Sequence, residues 1–114
     1  MASFRKQFNK GIMELAVLKL LFEEDQYGYS IIQEINTRSN NNIEIKDGNL
    51  YPILYRLEDH DFIQSYWQNA DKRGKPRKFY KITQKGIDRY QLMLDDYNEV
   101  SKGMQSILKN KEVK

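Results

Sequence analysis

A chain of 114 residues, 39% hydrophobic and 31% charged, is long enough for one modest core and too short for two. It has no cysteine, which excludes a disulfide framework and a thiolate metal site and fits the expectation of a reducing, cytoplasmic setting. The net charge of +3 is small but uneven: residues 70–85 hold seven Lys and Arg side chains against Asp71 alone, a surplus of six that leaves the remainder at −3.

Such a concentration on a nearly neutral body is the footprint expected of a polyanion partner. No membrane partner or targeting segment is expected. The N-terminus lacks an apolar run before a small-residue cleavage site, and the longest apolar cluster, Leu15 to Phe22, is interrupted by Lys19 and far too short to cross a bilayer.

Taken in order, the chain first predicts a central helix from about Lys10 to Glu24, apolar round most of its circumference through Ile12, Leu15, Ala16, Leu18, Leu20, Leu21 and Phe22. Asp25 and Gln26 end it. Tyr27-Gly28-Tyr29-Ser30 reads as a turn in which Gly28 supplies backbone angles other residues avoid. A second helix follows over Ser30 to Ser39 with Ile31, Ile32 and Ile35 inward, then an Asn40-Asn41-Asn42 loop and a very short strand at Ile43-Glu44-Ile45. The next helix, about 47–60, places Leu50, Ile53, Leu54 and Leu57 on one face and Asn49, Tyr51, Tyr55 and Arg56 on the other. Asp47 is its expected N-cap, and Pro52 suggests that regular hydrogen bonding begins a residue or two later.

Beyond Asp61 the period changes from helical to alternating. Ile63, Ser65 and Trp67 share one side of a strand, Lys78 to Ile82 form a second, and the Gly- and Pro-containing basic stretch between them predicts a hairpin with a long charged tip, about 62–83. Trp67, Phe79 and Tyr80 read as packing residues of this small sheet. Thr83 is placed to cap a last helix in which Ile87, Tyr90, Leu94, Tyr97, Ser101, Met104 and Leu108 form a heptad seam, with Met93, Val100 and Ile107 beside it. At roughly 25 residues this helix spans about 37 Å and carries more apolar surface than the domain before it can cover. The cheapest cover is a second copy of the chain through a two-fold contact.

Helix, helix, short strand, helix, basic hairpin, long helix is the order of an α+β, mainly α fold: a winged helix-turn-helix over 1–84 followed by a dimerisation helix over 85–114. In helix-turn-helix docking the second helix enters the major groove by its N-terminal residues. This assigns Asn49, Tyr51 and Tyr55 to base edges and Tyr29 and Lys46 to phosphates, with Lys72, Arg73, Lys75, Arg77 and Lys78 holding the backbone or the adjacent minor groove. Arg56 is read as mainly structural, an ion pair or cap within its helix, with a phosphate contact as the alternative. Enzyme chemistry is not expected: His60 stands alone between Asp59 and Asp61, Asp95 and Asp96 diverge on their helix, and neither a nucleophile-base pair nor a phosphate loop is present. No cofactor or metal is implied. A winged helix that binds protein instead of DNA is the alternative, and it has no need of so concentrated a positive charge.

Four linked stretches resemble the PadR family of bacterial transcriptional regulators over about residues 10–90: Ile12-Met13-Glu14-Leu15; Tyr27-Gly28-Tyr29-Ser30-Ile31-Ile32; Gly48 to Glu58; and Pro76 to Gly86. The short tail is similar to that of a small subgroup that includes a lactococcal multidrug-responsive repressor. The family usually carries Thr where Asn49 stands. The resemblance implies a homodimer joined through the last helix, with Leu15, Tyr90, Leu94, Tyr97, Met104 and Leu108 at the contact, and two recognition helices set for a palindromic operator. It also implies repression of adjacent genes, relieved in similar proteins by small aromatic or drug-like molecules. A pore for such an effector would be built here from Phe8, Met93, Tyr97 and Met104, without the tryptophan that the drug-responsive relative has in its last helix.

Overall fold

A computed structural model describes residues 3–69 and 74–111. The chain opens with a helix that the periodicity does not announce, α1 (Phe4–Lys10), capped by Ser3, whose Oγ accepts the Lys6 N–H at 3.2 Å. The helix expected from Lys10 starts later, as α2 (Met13–Glu23). The Ile12 N–H turns back onto the Asn9 carbonyl at 3.0 Å and breaks the run. Asn9 is itself buried, its amide donating to the Asn42 carbonyl at 2.9 Å, so the break is pinned to the Asn40-Asn41-Asn42 loop.

A two-residue strand, β1 (Gln26–Tyr27), leads directly into α3 (Gly28–Arg38). The expected Tyr27–Ser30 turn is therefore strand end and first helical turn. Ser30 Oγ accepts the Tyr27 N–H at 3.2 Å and donates to the Tyr27 carbonyl at 2.8 Å, satisfying both groups at the boundary. Gly28 does not take a positive φ. It leaves space for Tyr51, because a Cβ there would meet the Tyr51 hydroxyl and the phenol would have to shift.

Helix α3 ends in a Schellman arrangement. The Asn41 N–H reaches the Asn36 carbonyl at 2.8 Å and the Asn40 N–H the Thr37 carbonyl at 3.1 Å, with both Asn40 and Asn41 at positive φ. The strand expected at Ile43-Glu44-Ile45 does not form. Its alternation does bury Ile45 completely, but the Ile45 backbone pairs with a side chain: the Asn36 amide accepts from the Ile45 N–H at 3.0 Å and donates to its carbonyl at 3.4 Å. The third strand of the sheet is β1.

α4 (Asp47–Asp59) has Lys46, not Asp47, at its N-cap. The Leu50 N–H already reaches the Lys46 carbonyl at 2.9 Å, so regular bonding begins before Pro52, which sits inside the helix and only withholds a donor from the Gly48 carbonyl. The helix closes in a second Schellman motif: the Phe62 N–H bonds to the Leu57 carbonyl at 2.9 Å and the Asp61 N–H to the Glu58 carbonyl at 3.0 Å, with Asp61 at φ 60°. His60 is the C-cap, its ring stacked on Phe62 at 5.7 Å.

β2 (Ile63–Asn69) and β3 (Pro76–Ile82) pair antiparallel with Ile63 opposite Ile82 and Asn69 opposite Pro76, and β1 adds to the far edge of β3. α5 (Gln84–Leu108) starts at Thr83, as expected, with the Thr83 Oγ accepting the Gly86 N–H at 3.0 Å. Leu18, Leu21, Ile31, Leu50, Leu54 and Leu57 form the centre of the core, so the predicted inner stripe of α4 is wholly buried. Glu23 locks α2 to α3 through Arg38, whose two guanidinium nitrogens donate to it at 2.6 and 3.2 Å. This pairing with Arg38 holds the Glu23 carboxyl down at about 2. The result, among the described residues, is four helices, α1 to α4, and a three-stranded sheet that carries the wing, with the long C-terminal helix α5 leaving the domain.

Candidate nucleic-acid interface

Burying one face of α4 leaves the other outward. Lys46, Asn49 and Tyr55 are exposed, and Tyr51, one turn before Tyr55, is 36% exposed. Tyr29 projects from the first turn of α3 at 61% exposure, its hydroxyl accepting from Gln33 Nε2 at 2.7 Å. These two helices meet the wing in a concavity of about 540 Å³, walled by Tyr29, Tyr51, Trp67, Arg77 and Lys78 and floored by Tyr80. The fold thus brings Tyr29, Tyr51, Arg77 and Lys78 together at one groove. Lys46, Asn49, Tyr55 and Lys75 lie on exposed surface outside its lining. Lys72 and Arg73 fall outside the described residues.

Cations here are held over aromatic rings. The Arg77 guanidinium lies 4.5 Å from the Tyr27 ring and the Lys78 ammonium 5.7 Å from that of Tyr80, which orients each charge while leaving it unneutralised. Burial beneath the groove pushes the Tyr80 phenol up to about 12, so it stays neutral there.

Trp67 departs from its reading as a packing residue. Phe79 is half-buried between Tyr27 and Tyr66 and Tyr80 is buried, but Trp67 is 67% exposed. Its side of the strand was legible; how far the core extends along that side was not. Arg56 does form an ion pair, yet to another helix: its guanidinium lies 3.5 Å from Glu14 of α2.

The second surface is apolar. A groove of about 640 Å³ runs between α1 and the distal half of α5, and Phe8, Leu15, Met93, Tyr97, Met104 and Leu108 all line it. Tyr90, expected on the dimer seam, is instead 7% exposed and stacked on Phe22 of its own chain at 5.1 Å, and Leu94 packs against the same core. The open part of the seam therefore begins at Tyr97, with Val100, Met104, Ile107 and Leu108 exposed beyond it. Among the described residues no group of His, Asp and Glu could hold a metal ion, and no helix is long and apolar enough to cross a membrane.

Residues 17–92 match the transcriptional regulator PadR-like family. An uncharacterized protein of Lysinibacillus sphaericus is 36% identical over 96 residues, spanning 84% of this chain and 87% of its own. A transcriptional regulator from Clostridium thermocellum is 30% identical and superposes with a TM-score of 0.82, covering 90% of this chain and 99% of that one. A PadR-like transcriptional regulator from Bacillus cereus is 27% identical, with a TM-score of 0.80 over 92% of this chain and 99% of its own.

Proposed function

The chain belongs to the PadR-like family of transcriptional regulators, whose members bind DNA, and from that premise we propose that it acts as a homodimeric repressor of adjacent genes on a palindromic operator. Residues 1–84 are the DNA-binding unit and 85–114 the dimerisation segment, whose helix is α5. Asn49, Tyr51 and Tyr55 of α4 read base edges; Tyr29 and Lys46 hold phosphates; Lys72, Arg73, Lys75, Arg77 and Lys78 carry the wing along the backbone. The observation that carries this reading is the shared groove in which Tyr29 and Tyr51 face Arg77 and Lys78, since helix and wing then meet the same stretch of duplex.

Dimerisation rests on the apolar distal half of α5. Val100, Ile107 and Leu108 are 70%, 75% and 66% exposed, apolar surface near the end of α5 that a second copy would cover. A two-fold contact there sets the two α4 helices against half-sites about 34–36 Å apart. The groove lined by Phe8, Met93, Tyr97 and Met104 falls within the volume range of small-molecule sites, and a flat apolar effector seated between two copies would relieve repression by changing their spacing.

The test is a mobility shift with the duplex upstream of the chain's own coding sequence, followed by footprinting and sedimentation of the complex. Two protected half-sites one helical turn apart and twice the chain mass support the reading. Protection of a single half-site by one chain overturns the dimer, and absence of any retention overturns DNA binding.

A further inference from the structure

Resting on the DNA-binding reading, we propose that Trp67 is itself a DNA contact, the aromatic wall of the groove that packs against the sugar–phosphate strand between recognition helix and wing.

The register places it there. Side chains alternate across a strand, so Ile63, Ser65 and Trp67 share a face of β2, opposite Ile82, Tyr80 and Lys78 of β3. The three rows grade from core to water. Ile63 is fully buried; Ser65 is half-buried and donates to Glu58 of α4 at 2.6 Å; Trp67, one row further, is 67% exposed. The same face that grips the back of the recognition helix therefore runs past that grip and ends in an indole.

That indole is only one-third covered by its own chain. Among the described residues it takes part in no ring stack and lies under no cation, whereas Tyr27, Phe79 and Tyr80 of the same sheet all do. An exposed tryptophan is a large apolar surface with one N–H donor at its edge, and this one stands in the wall of the groove between α3, α4 and the wing. Its neighbours name the occupant. Lys78 stands directly across the strand pair and Arg77 shares the groove, in a segment with a surplus of six positive charges. An apolar ring with a cation beside it on the same face and a second in the lining of the groove matches the alternation of deoxyribose and phosphate along one DNA strand. Trp67 thus buries against sugar while Lys78 takes the adjacent phosphate and Arg77, set over Tyr27 by the alternation of β3, holds the strand from the other side of the groove lining.

Trp67 is the single tryptophan of the chain, so its emission is a direct probe. The full-length protein is titrated with the duplex retained in the mobility shift, recording Trp67 fluorescence and its quenching by acrylamide. The affinities of Trp67→Ala and Trp67→Phe are then measured over a range of salt. The expected result is a change of emission and shielding from acrylamide on binding, both reversed by salt. Trp67→Ala should lose about tenfold in affinity, the scale of burying a large apolar side chain, with an unchanged salt slope, and Trp67→Phe should keep most of it. Circular dichroism of the two variants confirms the fold that an exposed position permits. Retention of DNA with unchanged emission and unchanged Trp67→Ala affinity overturns the contact while leaving DNA binding intact. No retention at all removes both. Shielding that follows protein concentration without DNA assigns Trp67 to a protein contact and also overturns the proposal.

Discussion

Gly28→Ala tests how the first turn of α3 controls what α4 presents. A methyl group at position 28 runs into the Tyr51 hydroxyl and closes on the ring carbon bearing it at 3.0 Å. Restoring ordinary van der Waals distance moves the phenol by about 1 Å. In a rigid core such overpacking costs about 1–3 kcal/mol, but the obstacle is the far end of a side chain that is 36% exposed and free to swing outward. Position 28 is also a helical residue, where Ala is favoured over Gly. The two effects oppose, so stability should change by less than about 1 kcal/mol. Under the proposed readout by Tyr51, DNA affinity should fall much further, by about 1–3 kcal/mol, roughly fivefold to 150-fold. Thermal denaturation and fluorescence anisotropy with labelled duplex measure the two quantities on one sample. In a Tyr51→Ala background the Gly28→Ala effect on affinity should vanish, since the pair act through one side chain. Unchanged affinity for Gly28→Ala, or an equal loss with and without Tyr51, would falsify the reasoning.

Gly86→Ala should behave in the opposite way, because the added Cβ meets the Phe62 backbone carbonyl and no side chain can yield; a loss of about 3 kcal/mol or more in chemical denaturation is expected, and near-neutral behaviour would show that the start of α5 has slack. Glu23, held down at about 2 by Arg38 against an ordinary 4.5, contributes stability that is complete above about pH 4.5 and lost as pH falls toward 2. The melting temperature of Glu23→Gln should therefore decline less steeply than the parent's through that window, and identical slopes would remove the pair from the acid response. Ile107→Glu places a charge on a position that is 75% exposed in the single chain. It should leave the fold intact by circular dichroism while halving the sedimenting mass, whereas a dimer that survives it would put the contact elsewhere.

Much of the fold was legible because its signals are local. The i, i+3, i+4, i+7 stripe of α4 is buried in full, and the Thr83 hydroxyl caps α5 where its position suggested. The misses arose where distant groups decide the outcome. Ile43-Glu44-Ile45 has the alternation of a strand, but the Asn36 side chain occupies its hydrogen bonds. Gly28 looked like a turn glycine and is a clearance glycine, a fact set by a tyrosine 23 positions away in sequence. Tyr90 fits the heptad of α5 perfectly well and is nonetheless taken by Phe22. In the candidate interface, residue types and charge were readable from the chain, while the groove that gathers them depends on β1 adding to β3 and on the wing leaning over α4. Trp67 shows the limit: periodicity assigned its side of the strand, and only the packed structure shows the core stopping one row short of it.

The central claim is that this protein holds duplex DNA through α4 and the cationic wing, and its most direct test is the salt dependence of affinity for the parent and for Lys78→Ala. A polyelectrolyte interface predicts that log affinity falls linearly with log salt for both, with the variant's slope shallower by about one and its sequence preference unchanged. Affinity independent of salt, or a Lys78→Ala slope equal to the parent's, would contradict it.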